Sequence, residues 1–557
     1  MKGAEILVEA LKKEKVNYLF GIPGGQIIPF FDALYHQKEI KFILTRHEQA
    51  AAHMADGYAR ATGKTGVCVA TSGPGATNLV TGLATAYMDS IPIVAITGQV
   101  PTHMIGNDAF QEADTTGITR PVTKNNYLVK DVRELAEIVR EAFYIASSGR
   151  PGPVLIDLPS DVQRAEAGFV YPEKIEVPTY KPKIEGHLPQ IKRAANLIAD
   201  AKRPLIYAGG GVIRSGAWQE LTEFVRRSGI PVVLTLMGLG AFPASDPLFV
   251  GMPGMHGPKY ANLSMMESDL IIAIGARFDD RVTGKLETFI RNTKFIHIDI
   301  DPASIGKTVR VDIPIVGDVK AVLRQLIPLV VPPDCQEWRE KIRSWKKQFP
   351  LTYPKDDQKL HPQFVIEEIN RLTEGKAVIA TEVGQHQMWT AQFYRFEYPN
   401  SFISSGGLGT MGFGFPAAIG AKIGCPDKIV FDIAGDGSFQ MNIQELTTAV
   451  INRIPVKVVV LNNCYLGMVR QWQELFYGKR YSGTYLGSCP DFARIAEAFG
   501  ARGRRVTKPE EVEPALKEAL AEEKLPFVID FRIEQEENVF PMVPAGASLN
   551  EMLDGLA

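Results

Sequence analysis

An apolar run that ends in an acidic turn, followed one helix later by an apolar run that ends in two carboxamides, leaves this chain few folds to choose from. Ile429 to Ala434 reads as a buried parallel strand and leads into Gly435-Asp436-Gly437-Ser438. Ser438 to Leu461 spans 24 residues, ends in the apolar run Val456 to Leu461, and is followed by Asn462-Asn463. Asn442 to Asn452, between the runs, has helical content. The whole is a βαβ unit with a carboxylate at the carboxyl end of one strand and a carboxamide at the end of its neighbour. Open α/β sheets bind ligands at that edge. Asp436 and Asn463 are hard oxygen donors, suited to a Mg²⁺ that keeps the rest of its shell for phosphates. A lone Gly-Asp-Gly is commonly just a tight turn, but the strand-helix-strand frame favours the metal reading here.

At 557 residues the chain is too long for one core, and three is the natural number. Strand-like runs alternate with helix-period segments throughout, which predicts an α/β fold of three doubly wound parallel sheets. The expected blocks are 1–165, 190–330 and 362–550. The first has strand candidates at Val67–Thr71, Ile93–Thr97 and Val154–Leu158, and helical segments at Gln49–Thr62 and Val132–Ala146. The second has strands near Leu205–Ala208, Val232–Leu236, Leu270–Ile274 and Phe295–Ile300. Tyr171 to Pro189 reads as one linker, and Pro332-Pro333 with the polar stretch through Pro354 as another.

A net charge of −2 offers no basic face for nucleic acid. The five cysteines are scattered with no CxxC or His/Cys cluster, which argues against structural zinc and a disulfide framework and fits a reducing compartment. The amino-terminal residues enter a charged amphipathic helix with no signal-like core, and no apolar run is long enough for a bilayer. The expectation is a cytoplasmic protein.

The Gly-Asp-Gly and Asn-Asn arrangement resembles the diphosphate-anchoring motif of thiamine diphosphate enzymes. The resemblance implies that Asp436, Asn463 and the Tyr465 backbone carbonyl hold Mg²⁺. Glu48 opens a helical segment whose Ala51, Ala55 and Ala59 form a face that can approach another backbone closely. On spacing alone Glu48 is a carboxylate favoured by a helix N-terminus. The segment also looks like the catalytic-glutamate helix of these enzymes, in which a carboxyl group shares a proton with the cofactor's pyrimidine nitrogen. Partial burial among Ala and Met would bias such a carboxyl towards protonation. The family places this glutamate and the diphosphate site on different subunits, so the expected minimum unit is a homodimer, with a tetramer open.

Longer stretches narrow the resemblance. They include Gly98-Gln99-Val100-Pro101, Asp108-Ala109-Phe110-Gln111-Glu112, Ala276-Arg277-Phe278-Asp279-Asp280-Arg281, Val383-Gly384-Gln385-His386-Gln387, Gly409-Thr410-Met411-Gly412 and Leu466-Gly467-Met468-Val469-Arg470-Gln471-Trp472. Together they resemble the large, catalytic subunits of acetohydroxyacid (acetolactate) synthases across nearly the whole chain. That family joins two 2-keto acids with loss of CO₂, giving 2-acetolactate or 2-aceto-2-hydroxybutyrate for branched-chain amino acid synthesis.

The resemblance implies Glu48, Gln111 and Lys124 near the reacting atoms. It implies Gly25, Phe110, Arg281, Met468, Val469 and Trp472 around the substrates. Apolar side chains would shield a reactive carbanion, and Arg281 would take a carboxylate. In isolation the favoured readings are a surface ion pair with Asp279 or Asp280 for Arg281 and core packing for Trp472. Thiamine diphosphate would meet Gly384, Gln385, His386, Met411, Gly435, Gly437, Ser438 and Met468, with Met411 wedged beneath the bent cofactor.

The central block resembles the family's FAD-binding domain. The implied contacts are Arg150, Gly209, Gly210, Gly211, Leu236, Met237, His256, Gly275, Arg277, Asp299 and Asp318. Gly209-Gly210-Gly211 is not a dinucleotide fingerprint and is weak alone. Gln26, Glu382 and Cys464-Tyr465 depart from the family pattern. The chief rival is a flavin-using pyruvate oxidase of the same architecture. The family also pairs with a small regulatory subunit.

Overall fold

The computed structural model describes residues 1–555 except 288, 290–292, 356–357 and 488. Among the described residues there are three six-stranded sheets, each wholly parallel. The first holds β1 (Tyr18–Gly21), β2 (Lys41–Leu44), β3 (Gly66–Ala70), β4 (Ile93–Gln99), β5 (Asn125–Leu128) and β6 (Val154–Pro159), in the order β2-β1-β3-β4-β6-β5. The central sheet holds β7 (Pro204–Ala208), β8 (Val232–Leu234), β9 (Phe249–Gly251), β10 (Leu270–Ile274), β11 (Lys294–Asp299) and β12 (Ile313–Val316), in the order β12-β11-β10-β7-β8-β9. The third holds β13 (Val378–Thr381), β14 (Phe402–Ser404), β15 (Val430–Gly435), β16 (Lys457–Asn462), β17 (Arg502–Val506) and β18 (Phe527–Arg532), in the order β14-β13-β15-β16-β18-β17.

The first and third orders are the same when each sheet is counted from its own first strand. Their inner strands are apolar on both faces because helices cover both, as parallel sheets require. β3, β4 and β6 are buried at every position, as are β15 and β16. In each such sheet the chain leaves the first and third strands in opposite directions, and a crevice opens at their carboxyl ends. In the third sheet that crevice lies between β13 and β15.

The first and third sheets meet within the chain through two helices, Glu48–Thr62 and Gly414–Gly424. A Cβ on Gly57 would stand 2.0 Å from the Ala417 carbonyl oxygen, and one on Gly420 would stand 1.9 Å from that of Met54. Of the small-residue face expected at Ala51, Ala55 and Ala59, Ala55 meets the helix's own sheet, its carbonyl oxygen 2.1 Å from where a Cβ on Gly66 of β3 would stand, and the close helix pair is made at Gly57 and Gly420 instead. Gly57→Ala is expected to force the helices apart and cost about 3 kcal/mol. A thermal unfolding midpoint equal to that of the parent would contradict this packing account.

Two segments differ from the sequence expectation. The second linker contains a helix, Gln336–Gln348, which buries Trp338, Ile342 and Trp345. Those residues are spaced four and three apart, so a polar stretch carries a single apolar stripe that docks on the central sheet. The Trp338 indole donates to the Pro204 carbonyl at 3.1 Å. The first linker ends early, because Pro189 sits in the opening turn of the helix Leu188–Asp200, where its missing N–H costs nothing. The helical content expected at 442–452 is a kinked 3₁₀ turn over Gln440–Glu445 followed by a helix at Leu446–Ile451.

Candidate active site

β15 and β16 pair with Gly435 opposite Leu461, so Asp436 and Asn463 emerge side by side at the sheet's carboxyl edge. Both are buried, Asp436 at 2% exposure and Asn463 at 4%. They line a cleft with residues 383–386, 389, 411, 435, 437–438, 461 and 465–469. Burial pushes the Asp436 carboxyl up to about 6, against hydrogen bonds from the Cys489 thiol and the Gly437 N–H. The Asn463 Oδ1 accepts from the Tyr465 N–H at 3.1 Å, which turns the chain sharply after β16 and brings the Tyr465 backbone to the cleft. A buried carboxylate, a carboxamide and a backbone turn at one edge form the oxygen-rich donor set that suits Mg²⁺.

The diphosphate candidates converge on the same cleft. His386 is buried, its Nε2 has no partner, and burial holds the ring neutral by pushing its pKa down to about 3. A buried, unpartnered ring nitrogen in the cleft wall fits a phosphate oxygen. The imidazole occupies the space a Cβ would need on Gly384, 2.7 Å from Cε1, and on Gly435, 2.7 Å from Nδ1. Gln385 is fixed by donation to the Gln471 carbonyl oxygen and to the Glu537 carbonyl, both at 2.9 Å. Its own carbonyl accepts from Asn463 at 3.3 Å, which couples the β13 turn to the metal turn. Ser438 donates to the Gly435 carbonyl at 3.3 Å.

Met411 enters the cleft from a turn held from behind by a residue noted only as a departure. The buried Glu382 accepts from the Gly412 N–H at 2.7 Å and the Phe415 N–H at 3.1 Å. Asp432 is buried near it with no hydrogen-bond partner of its own, and burial together with Glu382 raises its pKa well above the usual carboxylate range. Sequence reading offered no signal for this pair, because one carboxyl follows β13 and the other lies on β15, 50 residues along the chain.

Glu48 is the first residue of its helix and is half-buried. The helix is capped by His47, whose ring accepts from the Gln49 N–H at 3.1 Å. The preceding turn is pinned by Glu445, which accepts from the Arg46 N–H at 2.9 Å and the His47 N–H at 3.1 Å. Asn78 donates to the Glu48 carboxylate at 2.9 Å, which orients it towards the turn that contains Gly75. Gln111 packs its backbone against Gly73 of the same turn, and Phe110 beside it is 83% exposed. Gly25 opens the neighbouring turn after β1. Glu48, Gln111 and Gly25 thus share the carboxyl edge of the first sheet, whereas the residues lining the cleft of this chain all come from the third block.

Lys124 stands apart from that group. Its ammonium donates to the Ile145 and Ser148 carbonyls and to the Tyr180 hydroxyl, and burial lowers its pKa to about 7.

Arg281 and Trp472 come together from different blocks. The guanidinium carbon lies 5.8 Å from the centre of the Trp472 ring, and Nη1 lies 3.8 Å from the Met255 sulfur. The alternative surface ion pair of Arg281 is loose, 4.0 Å from Asp280. Met468, Val469 and Trp472 share the helix Gly467–Phe476, and the first two line the cleft. A half-exposed cation therefore stands over the Trp472 ring, on the helix whose first turn lines the cleft.

Three family models match the chain. They describe the N-terminal binding domain of thiamine pyrophosphate enzymes over residues 1–118, the central domain over 191–326 and the C-terminal binding domain over 382–531. The chain is 52% identical to a probable acetolactate synthase large subunit of Methanocaldococcus jannaschii, over 99% of this chain and 95% of that protein. It is 50% identical to the acetolactate synthase large subunit of Corynebacterium glutamicum, over 99% and 90%. It is 48% identical to the isozyme 3 large subunit of Escherichia coli, over 99% and 98%. The chain belongs to the acetolactate synthase large-subunit family.

In this acetolactate synthase family member the central candidates gather at one edge of their sheet. Gly209 follows β7, Gly275 and Arg277 follow β10, Leu236 and Met237 follow β8, Asp299 ends β11, and Asp318 follows β12. Gly211 and Gly275 touch through their backbones. A Cβ on Gly211 would stand 2.6 Å from the Gly275 Cα, and Gly275 has a left-handed φ of +55°. Asp318 caps the helix Val319–Leu326, accepting from the Lys320 N–H at 3.0 Å. Asp299 accepts from the Asp301 N–H at 2.8 Å, and burial pushes its carboxyl up to about 6. Arg150 reaches this edge from the first block and pairs with Asp301 at 3.2 Å. His256 follows β9, buried with its Nδ1 unpartnered, near the carboxyl-terminal segment that hydrogen-bonds to Met255.

Proposed function

We propose that this chain is the catalytic subunit of an acetolactate synthase. It decarboxylates one pyruvate and joins the remaining two-carbon unit to a second pyruvate or to 2-ketobutyrate. CO₂ leaves, and 2-acetolactate or 2-aceto-2-hydroxybutyrate forms. Arg281 carries this reading. An acceptor 2-keto acid must be held by its carboxylate beside a surface that excludes protons, and Arg281 stands 5.8 Å from the Trp472 ring, on the helix whose Met468 and Val469 line the cleft.

Thiamine diphosphate, when bound, supplies the carbanion chemistry, and the protein supplies placement and proton control. Asp436, Asn463 and the Tyr465 carbonyl hold Mg²⁺. His386, Gln385, Gly435, Gly437 and Ser438 take the diphosphate, and Met411 supports the bend. Glu48 of a second copy holds the proton at the pyrimidine nitrogen, with Gly25, Gln111 and Phe110 of that copy closing the pocket, whereas Lys124, which precedes β5 at the opposite edge of the first sheet, takes no part in it. This homodimer is supported by the cleft's third-block lining and by the exposed apolar Ile28, Leu44 and Phe110 near Gly25, Glu48 and Gln111. The large-subunit names of the relatives support a small regulatory partner. FAD is bound along the edge of the central sheet by Gly209–Gly211, Gly275, Arg277, Asp299 and Asp318. Among the described residues no helix is long and apolar enough to cross a membrane, and the reading places the enzyme in the cytoplasm.

The test is pyruvate turnover with thiamine diphosphate, Mg²⁺ and FAD, with and without 2-ketobutyrate. Acetolactate and acetohydroxybutyrate are expected. Oxygen-dependent peroxide in their place would make the enzyme a pyruvate oxidase. Trp472→Leu is expected to lower the preference for 2-ketobutyrate over pyruvate by roughly tenfold, the scale on which apolar pockets sort a methylene. An unchanged product ratio in mixed-substrate assays would remove Trp472 from the acceptor pocket.

A further inference from the structure

Two of the five scattered cysteines meet at the metal turn. Cys464 follows Asn463 at the end of β16, and Cys489 lies in the loop before the helix Phe492–Ala498. Their sulfurs and an Asp436 carboxylate oxygen all lie within 4.8 Å of one another, and the Cys489 thiol donates to Asp436 at 3.2 Å. All three residues are buried, at 2% for Asp436, 3% for Cys464 and 8% for Cys489. Small apolar packing explains a buried cysteine well. It does not explain two sulfurs within 4.8 Å of one carboxylate oxygen, one thiol donating to that carboxylate and the other, of Cys464, to the Asn462 side-chain oxygen at 3.6 Å.

We propose that Asp436, Cys464 and Cys489 form a second cation site, selective for a thiophilic divalent ion of the Zn²⁺ or Cd²⁺ class, which withdraws Asp436 from Mg²⁺ when filled. Zinc bonds of about 2.3 Å to sulfur and 2.0–2.2 Å to oxygen set tetrahedral ligand pairs roughly 3.5–3.8 Å apart. The observed cluster meets that spacing with side-chain shifts of about 1 Å or less. Soft thiolates select this class of ion over Mg²⁺, which prefers an octahedral oxygen shell.

The charge balances. Binding releases the two thiol protons, and two thiolates, one carboxylate and the ion leave a net charge of −1. The Arg532 guanidinium, which donates to the Cys464 sulfur at 3.4 Å, compensates it. Asp436 lines the cleft, so the ion has a way in, and a water from the cleft completes the tetrahedron. No electron transfer is needed.

The proposal rests on the assignment of Asp436 to the Mg²⁺ site, and the experiment separates the two claims. Cd²⁺ is titrated into the reduced chain freed of cofactors, and thiolate-to-cadmium absorption is followed in the ultraviolet. One equivalent per chain is expected to give a band that the Cys464→Ser/Cys489→Ser double variant lacks. Thiamine diphosphate is then titrated in Mg²⁺ by calorimetry, each protein against its own cadmium-free control. With Cd²⁺ at ten times its dissociation constant, the parent should lose affinity about tenfold by mass action, and the double variant should not. A band that persists in the double variant, or no band at all, overturns the site. A band without loss of cofactor affinity overturns the competition. If cofactor affinity proves independent of Asp436 without cadmium, the Mg²⁺ assignment is what fails.

Discussion

Glu48→Gln is expected to lower turnover by roughly 10²–10⁴-fold, the usual worth of a positioned proton-transfer group, while thiamine diphosphate affinity stays within a factor of about three. Glutamine has nearly the same shape and can still accept the Asn78 hydrogen bond now made to the Glu48 carboxylate at 2.9 Å. The helix start is held by other groups, His47 and Glu445, so the fold around position 48 should survive. Only the ability to carry a shared proton is lost. Steady-state acetolactate formation and calorimetric cofactor binding give the two numbers. Full activity in Glu48→Gln would end the assignment. Loss of binding with loss of activity would make Glu48 a cofactor-binding group and not a proton partner. Mixing this variant with Asp436→Ala tests the dimer reading. If the two residues serve one site from different chains, heterodimers carry one site with both residues intact and part of the activity returns.

Asp436→Ala is expected to weaken Mg²⁺-dependent thiamine diphosphate binding by roughly 100-fold, about 2.7 kcal/mol. Asp436 is the one carboxylate in the proposed oxygen set, and at 2% exposure water screens its charge little. Asp436→Asn keeps the shape and one oxygen ligand, so it isolates the charge. Burial has a sign that can be checked without cofactor. The folded carboxyl titrates at about 6, above its ordinary 3.8, so the fold favours the protonated form. That stabilisation is complete below pH 3.8 and is lost as pH rises through 6. Without Mg²⁺, Asp436→Asn should therefore unfold at the same or a higher temperature than the parent at pH 8. Unaltered cofactor titrations in both variants would remove Asp436 from the metal site.

The legible parts of this molecule were those encoded by local pattern. Apolar runs such as 154–158 and 270–274 read as strands because parallel inner strands are apolar on both faces, and both are strands in the structure. Asp436 and Asn463 could be paired from their spacing because one βαβ crossover separates them, and neighbouring strands put their ends side by side. The helix Gln336–Gln348 was missed because Pro332-Pro333 and many charges outweighed three apolar residues. Its stripe matters only once the central sheet is there to receive it. The position of Glu48 at a helix start was readable, but its Asn78 and Glu445 contacts were not.

By itself the sequence determined three parallel α/β sheets, the acidic and carboxamide turn at the edge of the third, and membership in a family that uses such an edge. Those features are repeated by periodicity or by short fixed spacing along one chain. Only the tertiary structure decided which distant groups meet: Arg281 over Trp472, Glu382 and Asp432 behind the Met411 turn, and Cys464 and Cys489 against Asp436. Residues joined through separate strands and loops have no sequence interval that encodes their contact. Their distance is set by how whole sheets and helices pack.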